Sequence, residues 1–229
     1  MTINTCIFDA YGTLFDVSAA ARAAAEEGAV PALAENWRKV AADWRERQLQ
    51  YTWIRAITGE HADFWKVTTD ALDYALDASD LGGDDALRDR LCALYMDLAA
   101  YEEVPDTLVA LKDAGLATGI LSNGTPEMLQ SAARSAGITR LLDHVLSVES
   151  VGIYKPSFKV YDLVNRAFDC EKDNVLFVSS NGWDVAAAAG YGFRTAWVNR
   201  AGLPMDRLPW RPDDVIEDLN GVPALAGAA

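Results

Sequence analysis

Asp9 closes a short apolar run, Ile7-Phe8-Asp9-Ala10-Tyr11-Gly12-Thr13-Leu14, in which Gly12-Thr13 turn the chain sharply. A carboxylate at the carboxyl end of a buried strand sits where open α/β sheets place their chemistry. Further polar groups stand at comparable points later on. Ser122-Asn123-Gly124 follows the apolar stretch 116–121, Lys155-Pro156 lies beyond 144–148, and Ser179-Ser180-Asn181 follows 174–178, with Asp184 soon after. Singly, each has a plainer reading. A lysine before proline is a solvated loop residue, Ser122-Asn123-Gly124 is a turn and helix cap, and Asp184 caps an Ala-rich helix. Together, Asp9, Thr13, Ser122, Asn123, Lys155, Ser179, Asn181 and Asp184 offer a nucleophilic carboxylate, an ammonium, hydroxyls, amides and a second carboxylate. That set suits covalent catalysis on a small anion.

Such a set needs a scaffold that brings distant loops together. From residue 99 helical and strand patterns alternate: helix 105–114, strand 116–121, helix 126–136, strand 144–148, helix 157–168, strand 174–178, an Ala-rich helix through Ala189, and strand 194–198. This alternation predicts an α/β fold with a parallel, doubly wound sheet, Rossmann-like, in which the strand ends after Asp9, Leu121, Leu146 and Val178 lie side by side. Residues 16–98 carry no convincing strand. Trp37, Ala41, Trp44, Gln48 and Tyr51 recur at helical spacing, as do Phe64, Thr68, Ala71, Ala75 and Ala78, with breaks near Thr58-Gly59 and Leu81-Gly82-Gly83. The expected organisation is a core of residues 1–15 plus 99–229, interrupted by a cap of three or four helices over 16–98. A polar, Pro-containing tail ends in Ala-Leu-Ala-Gly-Ala-Ala, read as frayed.

Composition narrows the partners. The 229 residues are 51% hydrophobic and carry a formal net charge of −14. An acidic chain is a poor partner for nucleic acid or anionic membrane, whose phosphates need clustered lysine and arginine. An anionic substrate must be captured by local cations against the overall field. No apolar run approaches the ~20 residues of a membrane span, and the amino terminus lacks a signal-peptide pattern, so a cytoplasmic location is expected. Cys6, Cys92 and Cys170 read as buried thiols in a reducing compartment. The two histidines, His61 and His144, are far apart in sequence, and no nucleophile elbow, zinc-protease motif or P-loop is present. Gly190-Tyr191-Gly192 follows a helix instead of opening one, unlike a dinucleotide loop.

The order D-x-Y-G-T-L, S-N-G, Y-K-P, S-S-N-x-W-D resembles the haloacid dehalogenase superfamily and, more narrowly, the L-2-haloacid dehalogenases. Trp44-Arg45-Glu46-Arg47-Gln48-Leu49-Gln50-Tyr51-Thr52-Trp53 is similar to that subfamily's W-R-x-x-Q-L-x-Y-x-W stretch, so the likeness spans core and cap. The Asp9 motif and Lys155 are shared with phosphatases. Those relatives carry a second Asp two residues after the first as general acid, and here that position is Tyr11. The resemblance implies that Asp9 attacks C2 of a 2-haloalkanoate and that water hydrolyses the resulting ester. Lys155 holds Asp9 ionised, and Arg45 grips the halide or the substrate carboxylate. Ser122 and the amides after Asp9 bind the carboxylate, and Asn123 lies near the halide. Tyr11, Leu49, Phe64 and Trp183 form an apolar wall. Thr13, Ser179, Asn181 and Asp184 hold Lys155 and position the hydrolytic water. No metal and no cofactor are expected, because the fourth loop offers Ser179-Ser180-Asn181 with Asp184 as its one carboxylate and Lys155 already balances Asp9. The resemblance also implies a homodimer. One departure is Glu46, where the subfamily often has Gln; it either borders the pocket or points to solvent. The competing readings are a magnesium-dependent phosphatase, a hydrolase of another small 2-substituted acid such as a strained cyclic imino acid, and a binding protein that kept the fold.

Overall fold

The computed structural model describes residues 2–228. Among these, β1 (Thr5–Phe8), β2 (Ala117–Ser122), β3 (His144–Ser147), β4 (Val175–Ser179), β5 (Arg194–Val198) and β6 (Asp214–Ile216) form one sheet in the order β3-β2-β1-β4-β5-β6. Every pairing is parallel, as the helix–strand alternation predicts. Strand β1 is buried throughout and β4 likewise, the pattern of strands covered on both faces. Phe8 pairs with Ile120 on one side and Val178 on the other, and the Asp9 amide donates to Val178 O at 2.9 Å. Chain order reverses between β1 and β4, the switch point where open sheets leave a crevice at their carboxyl ends.

Helices α5 (Val104–Asp113), α6 (Pro126–Ser135), α7 (Phe158–Phe168) and α8 (Gly182–Tyr191) pack on the sheet. Between β1 and α5 lie α1 (Ala19–Glu26), α2 (Pro31–Thr58), α3 (Phe64–Asp77) and α4 (Asp85–Met96). Pro31 starts α2, and Gly59, at φ 78°, ends it in the left-handed region that glycine tolerates. Leu33, Val40, Ala41, Trp44, Gln48 and Thr52 form its buried stripe, and Asp63 caps α3 by accepting the Lys66 amide. The chain leaves and re-enters the sheet region at one place. Asp16 N donates to Ala99 O and Tyr101 N to Leu14 O, each at 3.0 Å, around an antiparallel bridge between Phe15 and Ala100.

Three expectations need correction. Ser122 and Ser179 are the last residues of β2 and β4, paired with Ser147 and Trp197, because the ladder runs one residue beyond the apolar run. The polar tail contributes β6, held by β5 and by Asn199 N donating to Ile216 O. A three-residue strand carries too little periodicity to be read. The terminal segment is not frayed as far as it is described: Val222–Leu225 form a helical turn, α9, with Val222 and Ala226 buried. Ala229 lies outside the described residues.

Candidate active site

The loop after β1 is shaped by Gly12, whose φ of +91° suits glycine and whose missing Cβ would stand 3.0 Å from Ser180 Oγ. Asp9 is buried beneath this turn, its carboxylate turned toward the loop after β4 and the 155 loop. Lys155 Nζ donates to Asp9 Oδ1 at 3.0 Å and to Asp184 Oδ2 at 2.8 Å. Thr13 Oγ1 and Asn181 Nδ2 donate to Asp9 Oδ2 at 3.1 and 2.9 Å. Asp9 Oδ1 therefore carries one bond and Oδ2 two.

The Lys155–Asp184 pair is almost wholly dry, with side chains 1% and 0% exposed. Burial alone would lower the Lys155 pKa, but Asp184 and then Asp9 outweigh it and hold the ammonium above its ordinary value. Burial lifts the Asp184 carboxyl above its ordinary value and Asp9 adds to the lift, against the pull of Lys155 and the Tyr161 hydroxyl. Tyr161 donates to Asp184 Oδ1 at 2.7 Å, fixing the carboxylate on its far side. The Lys155 amide donates to Asn123 Oδ1 at 3.0 Å, so the second loop sets where the lysine starts.

Arg45 reaches this loop from α2. Its Nη2 donates to Tyr11 O at 3.0 Å and to Asn181 Oδ1 at 3.2 Å, and its Nη1 donates to Gln48 Oε1 at 2.8 Å. Gln48 is fully buried and donates in turn to Thr68 Oγ1 and the Tyr95 hydroxyl. The Arg45 Nε–H and a remaining Nη1 hydrogen make no such bond. Tyr11 stacks on Tyr95 at 5.6 Å and lies against Phe64 at 5.7 Å, both rings buried. Burial first, then Tyr95 and Asp9, raise the Tyr11 phenol well above its ordinary pKa.

The structure brings Asp9, Thr13, Arg45, Asn123, Lys155, Asn181 and Asp184 into one hydrogen-bonded cluster, with Tyr11 and Phe64 beside it. The division of labour differs from expectation in two places. Thr13 and Asn181 bond Asp9, not Lys155, because they flank the carboxylate on the β1 and β4 loops. Ser179 Oγ accepts the Asn181 amide and so shapes the loop without touching Lys155. The Asn123 side-chain carbonyl is occupied by the Lys155 amide, a positioning contact. Ser122 Oγ accepts the Gly124 amide at 3.1 Å. Leu49 is half-buried next to Gln48, and Trp183, also half-buried, meets Trp53 of α2 edge-on at 5.5 Å. Glu46 is exposed and accepts from Gln50 at 2.7 Å, so it faces solvent. His61 pairs with Glu149, and His144 packs against Phe168.

Gln48, Tyr95, Ser180 and Tyr161 escaped the sequence reading. Gln48 carried two signals, its place in the helical stripe and its match to the glutamine of the W-R-x-x-Q-L stretch three residues after Arg45, but neither assigns it a partner. Tyr95 and Tyr161 occupy buried positions of amphipathic helices and read as packing. Among the described residues no group of three or more His, Cys, Asp or Glu side chains is arranged to hold a metal ion.

The family model for haloacid dehalogenase-like hydrolases matches residues 3–192. The chain is 43% identical over 204 residues to (S)-2-haloacid dehalogenase 1 of Pseudomonas sp. strain CBS-3, across 89% of this chain and 88% of that protein. It is 42% identical to (S)-2-haloacid dehalogenase 4A of Burkholderia cepacia, across 89% of this chain and 86% of that one. A solved structure of L-2-haloacid dehalogenase from Xanthobacter autotrophicus, with chloropropionic acid covalently bound, superposes with a TM-score of 0.88 at 35% identity. The match covers 99% of each chain.

Proposed function

The chain belongs to the haloacid dehalogenase-like hydrolases, and we propose that it hydrolyses small (S)-2-haloalkanoic acids to (R)-2-hydroxy acids through an ester on Asp9. The observation that carries this reading is the pairing of Asp9 with a dry lysine while position 11 holds Tyr11. A phosphate ester's leaving oxygen needs an acid there; a halide leaves without a proton. The covalently held chloropropionic acid in the Xanthobacter relative supports the same route.

Asp9 Oδ1, the less encumbered oxygen, attacks C2 from the face opposite the halogen; the C2–halogen bond breaks and the halide leaves with the electron pair. Lys155 keeps the nucleophile ionised and aimed, and burial strips it of water. Arg45 takes the halide or the substrate carboxylate on its free donors. Ser122 and the backbone amides of the β1 loop receive the carboxylate, and Tyr11, Leu49, Phe64 and Trp183 enclose the alkyl group. Water then adds to the Asp9 carbonyl carbon, with Asp184 taking its proton; the bond from that carbon to the C2 oxygen breaks, Asp184 returns the proton to this oxygen, the regenerated Asp9 carboxyl releases the water's second proton to solvent, and the 2-hydroxy acid departs with inverted configuration. In this reading residues 16–98 form a cap over a core of 1–15 and 99–229. Halide release from resolved 2-chloropropionates tests the proposal: the (S) enantiomer alone is consumed, at a rate unchanged by exhaustive chelation. Turnover of the (R) form, or loss of activity restored by magnesium, would overturn it.

Arg45→Lys keeps the charge but not the planar fork that serves Tyr11 O, Asn181 and Gln48 together. A charge-assisted hydrogen bond contributes about 1.5–3 kcal/mol, so kcat/KM is expected to fall roughly ten- to hundredfold. Near-parental turnover would remove Arg45 from the pocket.

The substrate is read as the small 2-haloacid anion with water as co-substrate. No described helix is long and apolar enough to cross a membrane. Three unpaired cysteines favour the reducing cytoplasm. The homodimer reading is supported by Ile54 and Ile57, 57% and 86% exposed along α2, and light scattering at one chain mass would remove it.

A further inference from the structure

We propose that Arg200 is a positioning residue that locks the hinge of the cap to the loop carrying the nucleophile. The activity arm of its test rests on the haloacid reading above; the structural arm does not. Arg200 follows β5 at the carboxyl edge of the sheet and makes three contacts at once. Its Nη2 donates to Thr13 O at 3.2 Å, its Nη1 pairs with Glu103 Oε1 at 2.6 Å, and its guanidinium lies 3.8 Å above the Tyr101 ring. The pair is largely shielded, at 22% and 15% side-chain exposure, and the Arg200 Nε is buried without a partner.

These contacts fall on both sides of the hinge. Thr13 belongs to the loop that leaves the core for the cap, and Tyr101 to the segment that returns, where its amide donates to Leu14 O. The Thr13 hydroxyl donates to Asp9 Oδ2 and accepts the Ser180 amide at 2.8 Å. Glu103 immediately precedes α5 and so ties the arrangement to the core. On the other side of Gly12, Arg45 donates to Tyr11 O. The two carbonyls flanking Gly12 are thus each held by a guanidinium, one from the cap and one from the core. A lysine could not bridge carbonyl and carboxylate while lying flat on a ring.

Without this lock the cap is free to pivot about the neck, Arg45 spends less time on Tyr11 O and Asn181, and Thr13 orients Asp9 less well. Trp53 of the cap and Trp183 of the core meet edge-on, at 83° between planes, so their coupled near-ultraviolet circular dichroism reports cap alignment independently of turnover. Arg200→Lys and Arg200→Met are expected to lower kcat/KM for (S)-2-chloropropionate roughly tenfold, the worth of a lost charge-assisted hydrogen bond. In an Arg45→Lys background the same changes should cost less than about threefold, because both residues act on one alignment. The tryptophan signal, identified by its loss in Trp53→Phe, should weaken in both Arg200 variants. Should Arg200→Met fail to fold, Arg200→Lys and Glu103→Gln carry the comparison. The proposal is overturned by kcat/KM within about twofold of the parent, by losses that multiply fully with Arg45→Lys, or by an unchanged tryptophan signal. A parent that releases no halide from any 2-haloacid would instead remove the functional reading, and the tryptophan signal would then decide the role of Arg200.

Discussion

In a single turnover in heavy-oxygen water, with enzyme in excess over substrate, the peptide containing Asp9 gains mass while the hydroxy acid stays light. Direct attack by water on C2 gives the same inverted product as the ester route, so stereochemistry cannot separate them. The origin of the oxygen can. If Asp9 forms the C2–O bond, the product's new hydroxyl comes from the carboxylate, and solvent oxygen enters the Asp9 side chain when water adds at its carbonyl carbon. Asp9→Asn should abolish this chemistry, because a neutral amide is a far weaker nucleophile than a carboxylate. Lys155, Thr13 and Asn181 hydrogen-bond the Asp9 carboxylate. Label found first in the hydroxy acid, with the Asp9 peptide unlabelled, would make Asp9 a general base.

Lys155→Met should combine a large loss of activity with a new pH dependence. In the parent protein the Lys155 ammonium is held above its ordinary value against the desolvating effect of burial, by Asp184 and Asp9. A folded pKa raised in this way contributes stability that is fully present below the unfolded value and is lost only as pH rises through the folded one. With the ammonium retained through that range, the parent's kcat/KM should show no Lys155-linked decline as pH rises from neutrality to the ordinary lysine range. Methionine fills much of the volume but leaves Asp9 and Asp184 sharing a dry site with no cation between them. Two buried carboxylates in such a site hold a proton between them, and a nucleophile that shares a proton and has lost its ammonium partner displaces halide poorly. Activity at neutral pH should drop on the order of a hundredfold or more, and should climb by up to about tenfold per unit as alkali restores the charge. Removing one partner from a buried ion pair also costs stability, by about 3–5 kcal/mol. A variant with parental kcat/KM, or with a loss that is flat in pH, would mean that Lys155 does not govern the nucleophile's ionisation.

The strand ends that gather the site could be read directly from the chain. A period of two or an unbroken apolar run ends where Asp9, Ser122 and Ser179 begin to be polar, and glycine or proline marks the turn. Gly59 and Gly82-Gly83 likewise punctuate α2, α3 and α4 through backbone sterics that act within a few residues. Arg45 was visible because a longer stretch of α2 repeats a known pattern. The partners of these groups were not visible. Gln48 lies in the same stretch as Arg45 and Tyr161 in an inward-facing stripe, but neither the pattern nor the stripe says which group an inward-facing polar side chain will bond. Whether Thr13 serves Lys155 or Asp9, and whether Glu46 meets the pocket or the solvent, depends on rotations of side chains set by packing between the sheet and helices α1 to α4. Arg200 lies 187 residues from Thr13 and carries no motif. Its contacts arise because parallel pairing places the carboxyl end of β5 near the neck, a juxtaposition that local periodicity does not encode. Strand β6 was missed for a related reason: three residues on an edge bury too little to leave a pattern, and it is the open ladder of β5 that makes them a strand.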